Sequence, residues 1–441
     1  MPAYTPLPVS RFGPQSVRRL RDFLARRRIL LSLGALFSGS AVARLLSALT
    51  IFVLARQLGI ERFGIHAATL ALAKLSSVLF SLGLDSWLLR EGRRSPQGFP
   101  AAIGTSLMLK LVLGLLWLLL LGAIAPFLNQ TSFPTVLVVL AAVSIVLEEL
   151  ALTTASAFKA SLRNRVTVWL VMIAPAVLLL LTIFLSWRNV IAIGPYFAAR
   201  IVSFVLAGAA GLYLVWRMFG LEVKWGWMSD ILRETRPYGV SQGLALIYER
   251  ADLTIIAFVL GTAAAGIYAP AVSLMTTLFL IPLAVYEVML PLISTLHARN
   301  HDEVRRPAFL FVLFSAALGV LMGVGLAVIA HPLVWLLYGP EFAASGAILT
   351  ILSSVLVFKT VSFALAAVIA AVGWQGQRAI IQAVTALLSI VLTLAVIGRY
   401  GIHGVAHVYV FTEFLVMSGY MVLLLRWQHK HLGKSAPASI S

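Results

Sequence analysis

Apolar runs of about twenty residues or more follow one another from Ile29 to Arg426, separated by short stretches that carry most of the charge. A helix needs about 20 such residues to cross about 30 Å of hydrocarbon, and these runs meet that length. They do not alternate apolar and polar positions, as the strands of a membrane β-barrel do. The pattern predicts twelve helices near 29–55, 64–85, 101–124, 134–156, 166–187, 191–216, 238–260, 265–288, 307–330, 346–372, 378–398 and 402–426. The expected fold class is therefore an all-α polytopic membrane protein.

Composition agrees: 61% of the 441 residues are hydrophobic and 11% charged, more apolar side chain than a soluble domain can cover. The net charge of +18 would suggest nucleic acid in a soluble chain, but its position gives another reading. With the N-terminus in the cytoplasm, 24 of the 34 Lys and Arg fall in the tails and inner loops, 4 in outer loops and 6 within the apolar segments. That bias is the positive-inside signature and predicts cytoplasmic N- and C-termini and no nucleic-acid partner. The expected divisions are a basic tail (1–28), a first lobe (29–216), a cytoplasmic linker (217–237), a second lobe (238–426) and a C-terminal tail (427–441). In the N-terminal tail, Val17, Leu20 and Leu24 allow a short amphipathic helix, although a solvated basic tail accounts for the same residues. The longest outer loop, His331 to Ser345, is too short to fold as a domain, so function must lie between helices. The chain has no cysteine and shows no cleavable signal peptide.

A phrase recurs at an offset of 202 residues. Leu58-Gly59, Gly64-Ile65 and Ala67 in "LARQLGIERFGIHAA" match Leu260-Gly261, Gly266-Ile267 and Ala269 in "FVLGTAAAGIYAPA". Six segments per half is an even number, so both halves enter from the same side. This predicts two parallel-repeat six-helix lobes around a central cavity, an arrangement used in alternating access. The glycines of the phrase are expected to make the outer turns.

The stretches "LARQLGIERFGIHAATLAL…LGLDSWLLR" and "YERADLTIIAFVLGTAAAGIYAPAVSL…IPLAVYEVMLPLIS" resemble the polysaccharide-type flippases of the multidrug/oligosaccharidyl-lipid/polysaccharide exporter superfamily. "LLYGPEFAASGAILTIL" (336–352) and "YGIHGVAHVYVFTEFL" (400–415) are similar to that family's tenth and twelfth helices. The resemblance covers about 29–426 and rests on the order and spacing of loose motifs. It implies transport of oligosaccharide repeat units on undecaprenyl pyrophosphate across the bacterial cytoplasmic (inner) membrane, alongside the polymerase and chain-length proteins of the same pathway. It also implies that an arginine and an aspartate are common at the positions of Arg250 and Asp252.

Charges inside apolar segments are costly and mark candidate sites. Arg44 sits mid-segment on a stripe with Ser40, Ala43 and Ser47; Tyr248, Glu249, Arg250 and Asp252 crowd one turn of the seventh segment. Arg44, Arg250 and then Arg200 are the candidates for the cargo's diphosphate, since a guanidinium grips phosphate oxygens in pairs. Lys74, Lys110 and Lys359 are further cations, of which Lys74 and Lys359 are cavity candidates. Seven acids accompany them: Asp85, Glu148, Glu149, Glu249, Asp252, Glu287 and Glu413. A structural ion pair is an equal reading for each such charge. Asp252, Glu249 and Glu413 are candidates for ion coupling. Tyr248, Tyr268 and Tyr286 are candidates for stacking on sugar rings, and Trp87 reads more readily as an interfacial aromatic. His297/His301 and His403/His407 stand at i, i+4, but neither pair has a third ligand beside it, so no metal and no cofactor is expected. No G-x-x-x-x-G-K-[ST] phosphate loop occurs. The leading function is a lipid-linked oligosaccharide flippase and not an enzyme. The alternatives are a drug or cation antiporter of the same superfamily and, after it, a membrane polysaccharide polymerase.

Overall fold

A computed structural model describes residues 14–91, 97–299 and 305–432, and among them the regular structure is helical throughout. The first half comprises α1 (Pro14–Ser76), α2 (Val78–Ser81), α3 (Leu84–Glu91), α4 (Phe99–Ile124), α5 (Thr135–Ala160), α6 (Asn164–Trp187) and α7 (Ile193–Phe219). The second comprises α8 (Met228–Val259), α9 (Thr262–Leu278), α10 (Leu280–Arg299), α11 (Arg305–Tyr338), α12 (Ala343–Ser353), α13 (Val355–Ala371) and α14 (Gln375–Leu432). Nine stretches among the described residues are long and apolar enough to cross a membrane. Two of them, Gly39–Ser81 and Gln375–Trp427, leave the helical region at Gly59 and Gly401. Helix α8, which carries Glu249, Arg250 and Asp252, is not one of the nine.

Several boundaries differ from the sequence expectation. The helix begins at Pro14 and runs unbroken into the first apolar segment, so the second half of the basic tail is helical. No glycine or proline interrupts 15–33 to stop it. The second segment breaks at Ser77, whose hydroxyl donates to the Lys74 carbonyl at 2.7 Å, and again at Leu82 and Gly83, which adopt positive φ. The eighth and tenth segments are interrupted at Phe279 and Ser354, giving α9–α10 and α12–α13.

Within the first half α1 packs on α6, and α5 on α7; within the second, α11 packs on α12 and α13, and α13 on α14. The halves meet where α1 lies against α8 and α9. Here the repeated phrase acquires its physical meaning. Gly59 (φ 71, ψ 175) and Gly261 (φ 88, ψ −179) share one left-handed conformation and turn the chain at equivalent points. The second glycine of each phrase makes no turn. Gly64 and Gly266 lie inside α1 and α9 where these helices cross. A Cβ on Gly64 would stand 1.9 Å from the Thr262 carbonyl oxygen, and one on Gly266 would stand 2.1 Å from that of Ile60. The two phrases thus clasp each other backbone to backbone.

Around this clasp Phe52 meets Tyr338 edge-on at 5.1 Å, Phe63 meets Phe342 at 5.9 Å, and Arg56 donates to the Leu336 carbonyl at 2.6 Å. A second close approach joins the halves at the other end. A Cβ on Gly83 would lie 2.6 Å from the backbone nitrogen of Gly239, and Trp87 Nε1 donates to Glu234 at 2.8 Å. Nineteen residues separate Gly64 from Gly83, on the order of 28 Å of helix, about the thickness of the hydrocarbon layer.

Substituting Gly64→Ala or Gly266→Ala forces the two helices apart. Each is expected to cost about 1–3 kcal/mol and to lower the unfolding midpoint of the purified protein in detergent. Gly325→Ala, where nothing lies within 4 Å of an added Cβ, should leave the midpoint unchanged or raise it.

Candidate functional site

Between the two glycine contacts lies a chamber of about 290 Å³ shared by both halves. Its first-half wall includes Phe63, His66, Lys74, Glu148 and Arg200, and its second-half wall is Leu253, Ala269, Val272, Ser273 and Thr276. One wall is charged and the other carries only apolar groups and hydroxyls.

The charged wall is one end of a continuous chain of ion pairs. Arg200 on α7 pairs with Glu148 on α5, and Glu148 accepts from Lys74 on α1 at 3.1 Å. Lys74 also reaches Glu149 at 2.9 Å, Glu149 binds Lys110 on α4 at 3.0 Å, and Lys110 binds Asp85 on α3 at 2.9 Å. Three cations meet three acids, so the chain is formally neutral. Neighbouring residues on a helix point about 100° apart. Glu148 therefore turns to the chamber and Glu149 towards α4, while the long Lys74 side chain spans both. Thr153, one turn beyond Glu149, accepts from Lys110 at 2.9 Å and donates to Asp85 at 2.7 Å. Ser144, one turn before Glu148, accepts from Arg200 Nε at 3.1 Å, and Phe204 lies under the guanidinium at 4.9 Å. Beside Arg200, His66 is 1% exposed, meets the Tyr196 ring edge-on at 4.8 Å, and leaves Nδ1 with no hydrogen-bond partner.

The residues singled out from sequence fall in different places. Arg200 and Lys74 line the chamber, each already paired with an acid. Arg44 is exposed, does not line the chamber and forms no ion pair with a described residue. The side chains of Tyr248, Glu249 and Arg250 lie outside the described residues, as do those of His297 and His301. Asp252 accepts from the Tyr268 hydroxyl at 2.8 Å and borders a water-sized void of about 10 Å³ with Ser389, Thr393 and Tyr409. Tyr268 is fully buried, so in this conformation its ring is closed to a sugar. Tyr286 is half-buried and packs edge-on against Phe363. Lys359 pairs with the fully buried Glu413 at 2.6 Å, apart from the chamber, and Glu413 Oε2 has no hydrogen-bond partner. Trp87 is a buried link between the halves, a correction to its reading as an interfacial aromatic. His403 and His407 are exposed, and no cluster of three metal-ligating side chains occurs among the described residues.

Sequence reasoning placed Lys110, Asp85, Glu148 and Glu149 inside apolar segments without joining them, and it missed His66. The adjacent acids in "IVLEELAL" were the available signal, since two buried carboxylates on successive helical positions require cations on two different neighbouring helices.

The fold is that of multi-pass transporters. The lipid II flippase MurJ in an inward closed conformation is similar over 88% of this chain and 87% of its own, at 15% identity and a TM-score of 0.72. An inward-facing multidrug resistance MATE family transporter of the MOP superfamily matches over 90% and 99%, at 15% identity and a TM-score of 0.68. The MATE transporter VcmN of Vibrio cholerae matches over 93% and 98%, at 16% identity and a TM-score of 0.64. A search of curated protein sequences finds no match. The family profile described as polysaccharide biosynthesis protein matches residues 53–347, and the chain belongs to that family.

Removing Lys110, whose side chain is 1% exposed, leaves Asp85 with no cation among the described residues and Glu149 with Lys74 alone. Lys110→Met is expected to cost about 3–5 kcal/mol and to abolish a cooperative unfolding transition in detergent. Removing the exposed Arg233–Asp230 pair should change the same transition by no more than about 0.5 kcal/mol.

Proposed function

We propose that this protein flips lipid-linked oligosaccharides, carried on undecaprenyl pyrophosphate, from the cytoplasmic to the periplasmic leaflet of a bacterial inner membrane. Membership of a polysaccharide biosynthesis family and the flippase and transporter fold support a transporter; the chamber supports the chemistry of the cargo. The observation that carries the reading is the Arg200–Lys74 pair of cations facing a space between the halves, with close glycine contacts between the halves on either side of it in the chain. Cations in a mostly buried wall suit a diphosphate, and hydroxyls on the facing wall suit its sugars. Arg44 and Arg250 are assigned to the same headgroup along its route.

The chamber lies at the lower edge of the range of about 300–1,000 Å³ typical of small-ligand pockets, so a sugar-bearing headgroup requires the halves to part. In this reading the residues 29–216 and 238–426 rock as two six-helix lobes, twelve crossings in all, with both tails and the linker 217–237 in the cytoplasm. The Gly64–Gly266 clasp is then the outer gate and the Gly83–Gly239 contact the inner gate. The polyprenyl tail stays in lipid, beside α1 where it meets α8 and α9. Asp252, Glu249 and Glu413 are assigned to ion coupling, and Tyr248 and Tyr286 to the sugar. Polymerase and chain-length proteins of the pathway are its expected partners. Export of cationic drugs is the second reading, favoured by the likeness to MATE transporters; the paired cations of the charged wall oppose it.

In proteoliposomes, Arg200→Ala, Arg44→Ala and Arg250→Ala should each slow flipping of a fluorescent lipid-linked oligosaccharide by about tenfold or more, the worth of one charged hydrogen bond. Native rates in all three would reject a diphosphate cargo. Because the chain has no cysteine, orientation can be read directly. Asn189→Cys should react with an impermeant maleimide on intact cells, and Leu162→Cys only after they are opened.

A further inference from the structure

Of the six groups in the buried chain, Glu148 alone depends entirely on the chamber's two cations. Among the described residues it pairs with Lys74 and Arg200 and with no other donor. Its two partners are differently placed. Lys74 is also held by Glu149 at 2.9 Å, and Arg200 is also held by Ser144 at 3.1 Å and by the ring of Phe204. The cations would keep their positions if Glu148 left; the carboxylate would lose everything that neutralises it.

We infer that Glu148 is the resident anion of a diphosphate clamp, and that an arriving diphosphate displaces it and drives it to take up a proton. This rests on the reading of the cargo as a diphosphate carrier. A carboxylate and a phosphate oxygen compete for the same guanidinium and ammonium protons, and the phosphate carries more charge. Once displaced, an unpaired carboxylate in this mostly buried wall is costly, and protonation removes that cost. The groups that face it do not offset it. From α1 come Lys74, engaged by the diphosphate, and His66, which lines the same space; from α7 come Arg200, likewise engaged, and the Tyr196 hydroxyl; on α5 itself Glu149 is a second acid. Lys110 on α4 is saturated by Asp85 of α3 and Glu149, and α6 brings no charge to this level. The free Nδ1 of His66, buried at the edge of the clamp, is an independent sign that the wall is built for a ligand able to hydrogen-bond.

The sign of the pH dependence follows. The bound state holds one more proton than the empty state, so acid favours binding and alkali returns the clamp to Glu148.

The test uses the full chain in nanodiscs, titrated with farnesyl diphosphate and, separately, inorganic pyrophosphate, in weakly buffered solution with a pH indicator. The wild type should take up about one proton more per bound diphosphate than Glu148→Gln, and its affinity should rise about tenfold for each unit the pH falls, beyond the ligand's own titration. Glu148→Gln, with no anion to displace, should bind more tightly at pH 7.5 and lose that extra dependence. Equal proton counts in the two proteins overturn the exchange while leaving a diphosphate cargo standing. Absence of binding to the wild type removes the cargo reading and the exchange together. Infrared difference spectra of the wild type need no variant: farnesyl diphosphate should bring up a protonated-carboxyl band, and no such band overturns the proposal. A response to farnesyl diphosphate alone supports exchange driven by a lipid-linked headgroup; an equal response to pyrophosphate supports exchange driven by the free anion.

Discussion

The neutrality of the buried ion chain constrains the rest of the first half. Three cations and three acids placed away from water are tolerable only when each finds its opposite, and the pairs join α1, α3, α4, α5 and α7. A helix that shifted or rotated within this half would separate charges in a medium that does not screen them. The half is therefore bound to move as one body. Between the halves the contacts are of another kind: glycine against carbonyl, ring edge against ring face, and a few hydrogen bonds. Among the described residues the ion pairs stay within one half. Contacts of van der Waals type are individually weak and can be exchanged for lipid or water as the bodies separate. Strong bonds inside each body and weak ones between them are what a rocking transporter requires.

Much of this was legible in the chain. The apolar runs fixed most helix positions, because the length of a membrane helix is imposed by the bilayer and survives any detail of packing. The repeated phrase pointed to a duplication, and Gly59 and Gly261 share one backbone conformation at equivalent turns. What escaped was everything that depends on which helix neighbours which. Nothing in the sequence says that Gly64 faces Gly266, or that Lys110 lies within reach of both Asp85 and Glu149. Arg44 shows the same limit from the other direction: depth in a segment does not fix the face a side chain presents, and Arg44 is exposed and outside the chamber's lining. The breaks at Ser77, Phe279 and Ser354 were invisible too, since serine and phenylalanine in an apolar run carry no helix-stop signal.

The two repeated phrases match in backbone, and the halves that carry them differ in charge. Both halves keep the paired glycines, which set where the bodies touch. Only the first half carries the six-membered chain. The second has separate elements, the Lys359–Glu413 pair and the Tyr268–Asp252 bond, and offers the chamber hydroxyls and aliphatic groups. A chamber with two identical charged walls would hold an anion equally against both and resist their separation. In the proposed mechanism, with the charge on one wall, an anion would stay with the first body as the second swings away, and the bond holding the cargo would not be the bond that must break for the gate to open. The asymmetry of the wall therefore lets the symmetry of the fold be used for movement.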